Sequence, residues 1–175
     1  SIAAGYAIAD LQKGLGDGVR IVRSMPNTPA MVGEGMSGVS YDEALFTDEE
    51  KAVIDGFFTS FGKMEKVDEK LMDVVGSASG CSPAYVYMFI EALADGCVKN
   101  GLPRQAAYKM VAQAVLGSAK MVLETGKHPG ELKDMVCSPG GTTIEGLAAL
   151  EENGFRGAII KACDANFEKN KKLKG

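Results

Sequence analysis

Six consecutive residues, Ser138-Pro139-Gly140-Gly141-Thr142-Thr143, have the types and order that hold a small anion. Pro139 sets one backbone angle, and the two glycines permit conformations that a side chain forbids. Behind them Ile144, Leu147 and Leu150 recur at helical spacing, which predicts a helix from near Thr142 to Asn153-Gly154. The predicted result is a bare, concave backbone whose N–H groups face outward at the positive end of a helix dipole. Such a place binds carboxylate or phosphate. The hydroxyls of Ser138, Thr142 and Thr143 add donors that also accept. The same residues also read as a tight turn followed by an N-capped helix. The second threonine favours the anion, because one hydroxyl suffices for a cap.

A second group with chemical potential is Met25-Pro26-Asn27-Thr28-Pro29. It follows Val19-Arg20-Ile21-Val22-Arg23, whose apolar–basic alternation predicts a short strand covered on one face. Two prolines three apart force the chain out of the sheet there. In an open α/β sheet the loops at the carboxyl ends of strands form the ligand crevice. Asn27 offers an amide donor and a carbonyl acceptor, which suits a carboxamide or a ribose; a rigid turn with an Asx bond is an equal alternative. Gly33-Glu34-Gly35-Met36-Ser37-Gly38 fits G-x-G-x-x-G by letter, yet a strand at Val39-Ser40-Tyr41 follows it, where a dinucleotide fingerprint opens a helix.

Other chemistries lack their residues. The four cysteines, Cys81, Cys97, Cys137 and Cys163, are far apart and the only histidine is His128, so no zinc ligand set exists and no metal is expected. His128, beside Pro129-Gly130, reads as a surface loop residue. A net charge of −4 argues against nucleic acid or an anionic membrane as the main partner. The lysines at 169, 171, 172 and 174 read as a solvated helix end. No apolar run reaches membrane-spanning length and no secretory leader opens the sequence; isolated cysteines suit a reducing cytoplasm.

The elements that position these groups change character along the chain. Before Asp68, a segment from Tyr6 to Leu15, the strand at 19–23, a capping box at Thr47-Asp48-Glu49-Glu50 with a helix behind it, and a strand at Lys63–Val67 alternate. They look like the back half of a nucleotide-binding domain. From Glu69 onward only helices are expected: a short one to Val75, a flexible joint at Gly76–Ser82, then Ala84–Lys99, Arg104–Thr125, Glu131–Cys137, the helix after Thr142, and Phe155–Lys172. The fold class expected is therefore α/β plus all-α: residues 1–68 as the C-terminal remnant of a Rossmann-type domain, 69–175 as a helical dimerisation and substrate-binding domain. The helices at 84–99 and 104–125 are apolar nearly all round, so a second copy of the chain should cover them.

Taken together, Met25–Pro29, Glu34-Gly35, Ser79-Gly80, Pro83-Ala84-Tyr85, Ala94-Asp95-Gly96, Gly101-Leu102-Pro103, Lys133-Asp134 and Ser138–Thr143 appear in an order that resembles the pyrroline-5-carboxylate reductases. Cys81-Ser82 departs from the Ser-Gly many relatives carry there. The family starts with a glycine-rich fingerprint and most of a Rossmann domain, whereas Ser1-Ile2-Ala3-Ala4-Gly5 joins late in it. The expectation is a truncated product that lacks the main cofactor motif. The resemblance implies reduction of a cyclic imino acid by NADPH or NADH, and a homodimer through the C-terminal helices that assembles further into a decamer. Carried over, Ala3, Ala4, Met25, Pro26, Asn27 and Thr28 would face the cofactor. Ser138, Gly140, Gly141, Thr142 and Thr143 would hold the substrate with Glu69 nearby, and Thr143 would serve the imine nitrogen. An acid in a helix's first turn also has a dipole explanation. Two alternatives stay open: a related reductase of hydroxy or keto acids, and a non-catalytic helical dimerisation fragment.

Overall fold

The strand β2 (Gly35–Ser40) lies in the middle of a three-stranded sheet, antiparallel to β1 (Arg23–Met25) and parallel to β3 (Gly62–Lys66). A computed structural model describes residues 1–16 and 18–173. The chain divides into a sheet unit, Ser1–Ala84 with Lys161–Gly175, and a helical unit, Tyr85–Ile160.

In the sheet unit, β2 and β3 run parallel because α2 (Asp48–Thr59) crosses over between them. The expected capping box starts α2: Thr47 Oγ1 accepts from the Glu50 amide at 3.3 Å, and Glu50 accepts from the Thr47 amide at 2.9 Å. Phe58 is its buried anchor, edge-on to Phe57 at 5.1 Å and to Phe61 at 6.0 Å. The glycine pattern belongs to strand packing. A Cβ on Gly35 would stand 2.8 Å from the Phe61 carbonyl oxygen, Gly38 lies under Val75, and a Cβ on Gly62 would overlap the Gly35 backbone.

Three sequence expectations shift. The strand expected at 19–23 is Arg23–Met25, because β2 ends at Ser40 opposite Arg23, and Val22 is taken up by Ser1, whose backbone nitrogen donates to its carbonyl at 2.7 Å. The joint expected at 76–82 is helical. After a 3-10 turn at Glu69–Leu71, α3 (Met72–Val75) widens into a π turn, Gly76–Gly80, closed by the Cys81 amide on the Gly76 carbonyl at 2.8 Å, and continues as α4 (Ser82–Lys99). Small residues there allow close packing: Ser77 donates to Asn166 Oδ1 at 2.7 Å, and Asn166 Nδ2 donates to Cys81 Sγ at 2.8 Å. Finally, α6 (Pro129–Met135) starts earlier than expected because His128 Nδ1 accepts the Gly130 amide at 3.0 Å and Pro129 fits the first helical position.

The helical unit holds most of α4, α5 (Arg104–Thr125), α6, α7 (Thr142–Glu152) and the start of α8 (Phe155–Leu173). Its buried apolar side chains, among the described residues, are Ala94, Ala107 and Val111, ringed by Ile90, Cys97, Val98, Leu102 and Val115. Met88, at 72% exposure, Met110, at 61%, and Leu123, at 82%, stay uncovered in the single chain. At the far end of α8, Lys171 pairs with Glu168 at 2.9 Å and faces solvent; Lys174 lies outside the described residues. No helix among the described residues is long and apolar enough to cross a membrane.

Two measurements test this packing. Gly62→Ala should lower the unfolding free energy in urea by about 3 kcal/mol, the upper end of what overpacking costs; an unchanged midpoint would contradict the close pairing at Gly35. Arg20 grips Glu50 with two bonds of 2.6 Å, and its guanidinium, helped by the Thr47 amide, holds the Glu50 carboxyl down to about 2. A carboxyl lowered on folding stabilises fully above its unfolded pKa of about 4.3 and stops doing so as pH falls through the folded value. NMR titration of Arg20→Gln should move the Glu50 midpoint back up toward the ordinary range.

Candidate functional site

The helical unit builds the predicted anion nest from one turn and one helix start. Ser138-Pro139-Gly140-Gly141 closes as a β-turn, with the Gly141 amide on the Ser138 carbonyl at 3.0 Å and Gly140 left-handed at φ +64°. Proline second and a left-handed glycine third is the type II pattern. Gly141 is then the N-cap of α7 with no side chain to offer, and Ser138 Oγ crowds the space a Cβ would take there. So the turn is present and the side-chain cap is absent. The Gly141 amide closes the turn, which leaves the first amides of α7, from Thr142 on, without partners inside the helix. Thr142 and Thr143 are exposed, and neither hydroxyl serves as the cap. This arrangement can accept a small carboxylate on backbone N–H groups flanked by neutral hydroxyls.

The sheet unit carries the other expected residues. Ser1 donates to the Val22 carbonyl, and its own carbonyl accepts the Ser24 amide at 2.8 Å. That bracketing is a single parallel rung at Arg23, and the Ala3 amide turns to Ser1 Oγ at 3.2 Å. Ala4 and Thr28 are exposed, while Met25, Pro26 and Asn27 are half-buried. Both ends of the Asn27 side chain meet protein: Oδ1 accepts the Met36 amide at 2.9 Å, and Nδ2 donates to the Ser79 carbonyl at 3.0 Å. These partners lie 9 and 52 residues away, so the bonds are long-range ties and not the local Asx bond of a rigid turn.

Glu69 is committed to the same unit. Its Oε1 accepts the Ile8 amide at 2.6 Å, at the start of α1 (Ile8–Leu15), and stands 3.5 Å from Arg23 Nη1. Arg23 is 3% exposed and also faces Asp73 at 3.9 Å. A charge buried that far needs paired acids. Sequence reasoning read Arg23 only as part of an alternating strand and missed its burial; acids at Glu69 and Asp73, one helical turn apart, were the available signal. Asn166 and Asn170, also one turn apart in α8, were missed as well. Asparagine is a poor helix former, so a pair on one face marks polar partners, here Ser77, Cys81 and the Asp73 carbonyl.

Fold and site together define the class: the C-terminal remnant of a Rossmann-type domain followed by a helical dimerisation domain. A family model for pyrroline-5-carboxylate reductase dimerisation matches residues 69–173. The chain is 56% identical over 173 residues to pyrroline-5-carboxylate reductase of Escherichia coli (strain K12), covering 99% of this chain and 64% of that protein. It is 49% identical to the Glycine max enzyme, covering 99% of this chain and 62% of that one. Among solved structures, the Plasmodium falciparum pyrroline carboxylate reductase with NADP bound superposes at TM-score 0.90 and 39% identity, covering all of this chain and 70% of that one. The Coxiella burnetii pyrroline-5-carboxylate reductase does so at 0.92 and 34%, covering all of this chain and 65% of that one. The chain belongs to the pyrroline-5-carboxylate reductase family, and it spans just under two thirds of the length of these curated relatives.

The Glu69 contacts predict a stability effect. Glu69→Ala should cost about 2 kcal/mol in urea unfolding, the size of a charge-assisted hydrogen bond lost beside a buried cation, and Glu69→Gln should recover part of it. Unchanged stability in both variants would show that the carboxylate is not anchoring α1.

Proposed function

We propose that the protein carrying this chain reduces 1-pyrroline-5-carboxylate to L-proline with NADPH or NADH. The observation that supports this reading most directly is the side-chain-free cap at Gly141, which leaves the start of α7 open to a carboxylate. Family membership and the names of the relatives point the same way. The absence of a lysine or a firm acid from Ser138–Thr143 weighs against a hydroxy- or keto-acid reductase, whose carbonyl chemistry usually wants one.

In this reading Ser138 Oγ and the backbone around Gly140, Gly141, Thr142 and Thr143 hold the substrate carboxylate, which fixes the ring in place. The Thr143 hydroxyl faces the imine nitrogen. A threonine hydroxyl is too weak an acid to create an iminium alone, so it orients the nitrogen and relays a proton to it. The dinucleotide, when bound, supplies a hydride for the imine carbon. Ala3, Ala4 and Met25–Thr28 suit a nicotinamide through their backbone and small side chains, since the Asn27 amide is already engaged. Glu69 holds α1 in this scheme and lies near the substrate.

The uncovered apolar side chains of α4 and α5 are covered by a second copy of the chain, and such dimers assemble further, to a decamer in the full reading. The domain boundary falls at 68/69, and the protein works in the cytoplasm. Light scattering should show an oligomer. A folded monomer at micromolar concentration would remove the dimer.

In the polypeptide that carries this chain together with the segment its relatives have ahead of it, Thr143→Ala should cost roughly 2–4 kcal/mol in kcat/KM, as for loss of one transition-state donor. A variant within a few-fold of the parent would take Thr143 out of the mechanism. NADPH oxidation that requires the imine supports the assigned reaction; oxidation with oxo acids alone defeats it.

A further inference from the structure

A missing donor explains where the Asn27 side chain goes. In a continuous helix the Ser79 carbonyl would accept from the N–H four residues on, but that residue is Pro83, which has none. The next amide, Ala84, is committed to the Cys81 carbonyl at 3.0 Å. Asn27 Nδ2 fills the gap at 3.0 Å. At its other end Asn27 repeats the same service. The β1–β2 register pairs Met25 with Gly38, so the position facing Met36 falls to Asn27, where Pro26 has already turned the chain out of the sheet. There Oδ1 accepts the Met36 amide at 2.9 Å in place of a backbone carbonyl.

We propose that Asn27 is a positioning residue, a latch that ties the Met25–Thr28 loop to β2 and to the π turn ahead of α4 and so holds the dinucleotide-facing edge in shape without touching the dinucleotide. The inference rests on the reductase reading for its functional consequence and on the geometry alone for the latch. Asp at this position keeps the acceptor for Met36 and loses the donor to Ser79. Ala at position 83 gives the Ser79 carbonyl a main-chain donor of its own.

The test is a double-mutant cycle in the longer polypeptide, read by NADPH affinity, by KM for each substrate, and by hydrogen exchange at the Met36 and Thr28–Val32 amides. Asn27→Asp should weaken NADPH binding about tenfold, the worth of one buried hydrogen bond, with the KM for the imine little changed. Adding Pro83→Ala should return most of that loss and restore the exchange protection. A loss that persists in the double variant means a direct ligand and overturns the latch, as does an Asn27→Asp variant with unaltered affinity and protection. If Asn27→Asp alone does not fold, recovery of folding on adding Pro83→Ala upholds the latch and continued failure overturns it. If the parent polypeptide turns over no imine, the reaction assigned above falls, and the exchange cycle still decides the latch in the same two directions.

Discussion

A carbonyl without a donor sets the arrangement of the sheet unit. Proline at position 83 starts a long helix well, but it withdraws the N–H that the Ser79 carbonyl needs. Leaving a fully buried group of this kind unpaired costs about 1–3 kcal/mol, and the half-buried Ser79 carbonyl stands toward the lower end of that range. The chain meets this with a side chain from 52 residues away, and the same side chain completes the last rung of the sheet where Pro26 ends β1. One asparagine thus joins three elements that sequence separates widely. The π turn is part of the same solution, because its wider winding faces Ser77 and Cys81 toward Asn166 of α8.

Buried charge gives the unit a second anchor. Arg23 is enclosed between Glu69 and Asp73, and Glu69 also takes the first amide of α1. These contacts give the start of α1, the start of β1 and the start of the 3-10 turn at Glu69 a common fixed point. The Met25–Thr28 loop is shaped by the hydrogen bonds that Asn27 makes behind it.

The helical unit is held together differently. Ala94, Ala107 and Val111 form the buried contact between α4 and α5, with Ile90, Val98, Leu102 and Val115 around it, while Met88, Met110 and Leu123 are left exposed. A single copy gains little from those side chains, which is the physical basis for expecting a second one. The nest at Ser138–Thr143 depends on very local chemistry by comparison. A left-handed Gly140 turns the chain, a bare Gly141 begins the helix, and the amides from Thr142 onward are what remains.

Local chemistry was legible from residues alone. The helix limits of α5 and α7, the Thr47 capping box, the turn at Ser138–Gly141 and the all-round apolar character of α4 and α5 all follow from periodicity, proline and glycine placement, and capping pairs, which act within a few residues. What the tertiary structure decided were the partners across long separations. The strand at β1 moved because its neighbour ends at Ser40. The joint at Gly76–Gly80 became a π turn because α8 brings two asparagines to it. Asn27 and Glu69, read from sequence as candidate ligand residues, also serve as clamps because Ser79, Met36, Ile8 and Arg23 stand within reach. A side-chain amide or carboxylate carries no mark of its partner. Which atom it meets depends on where the rest of the chain folds, and spacing along the sequence holds no measure of that.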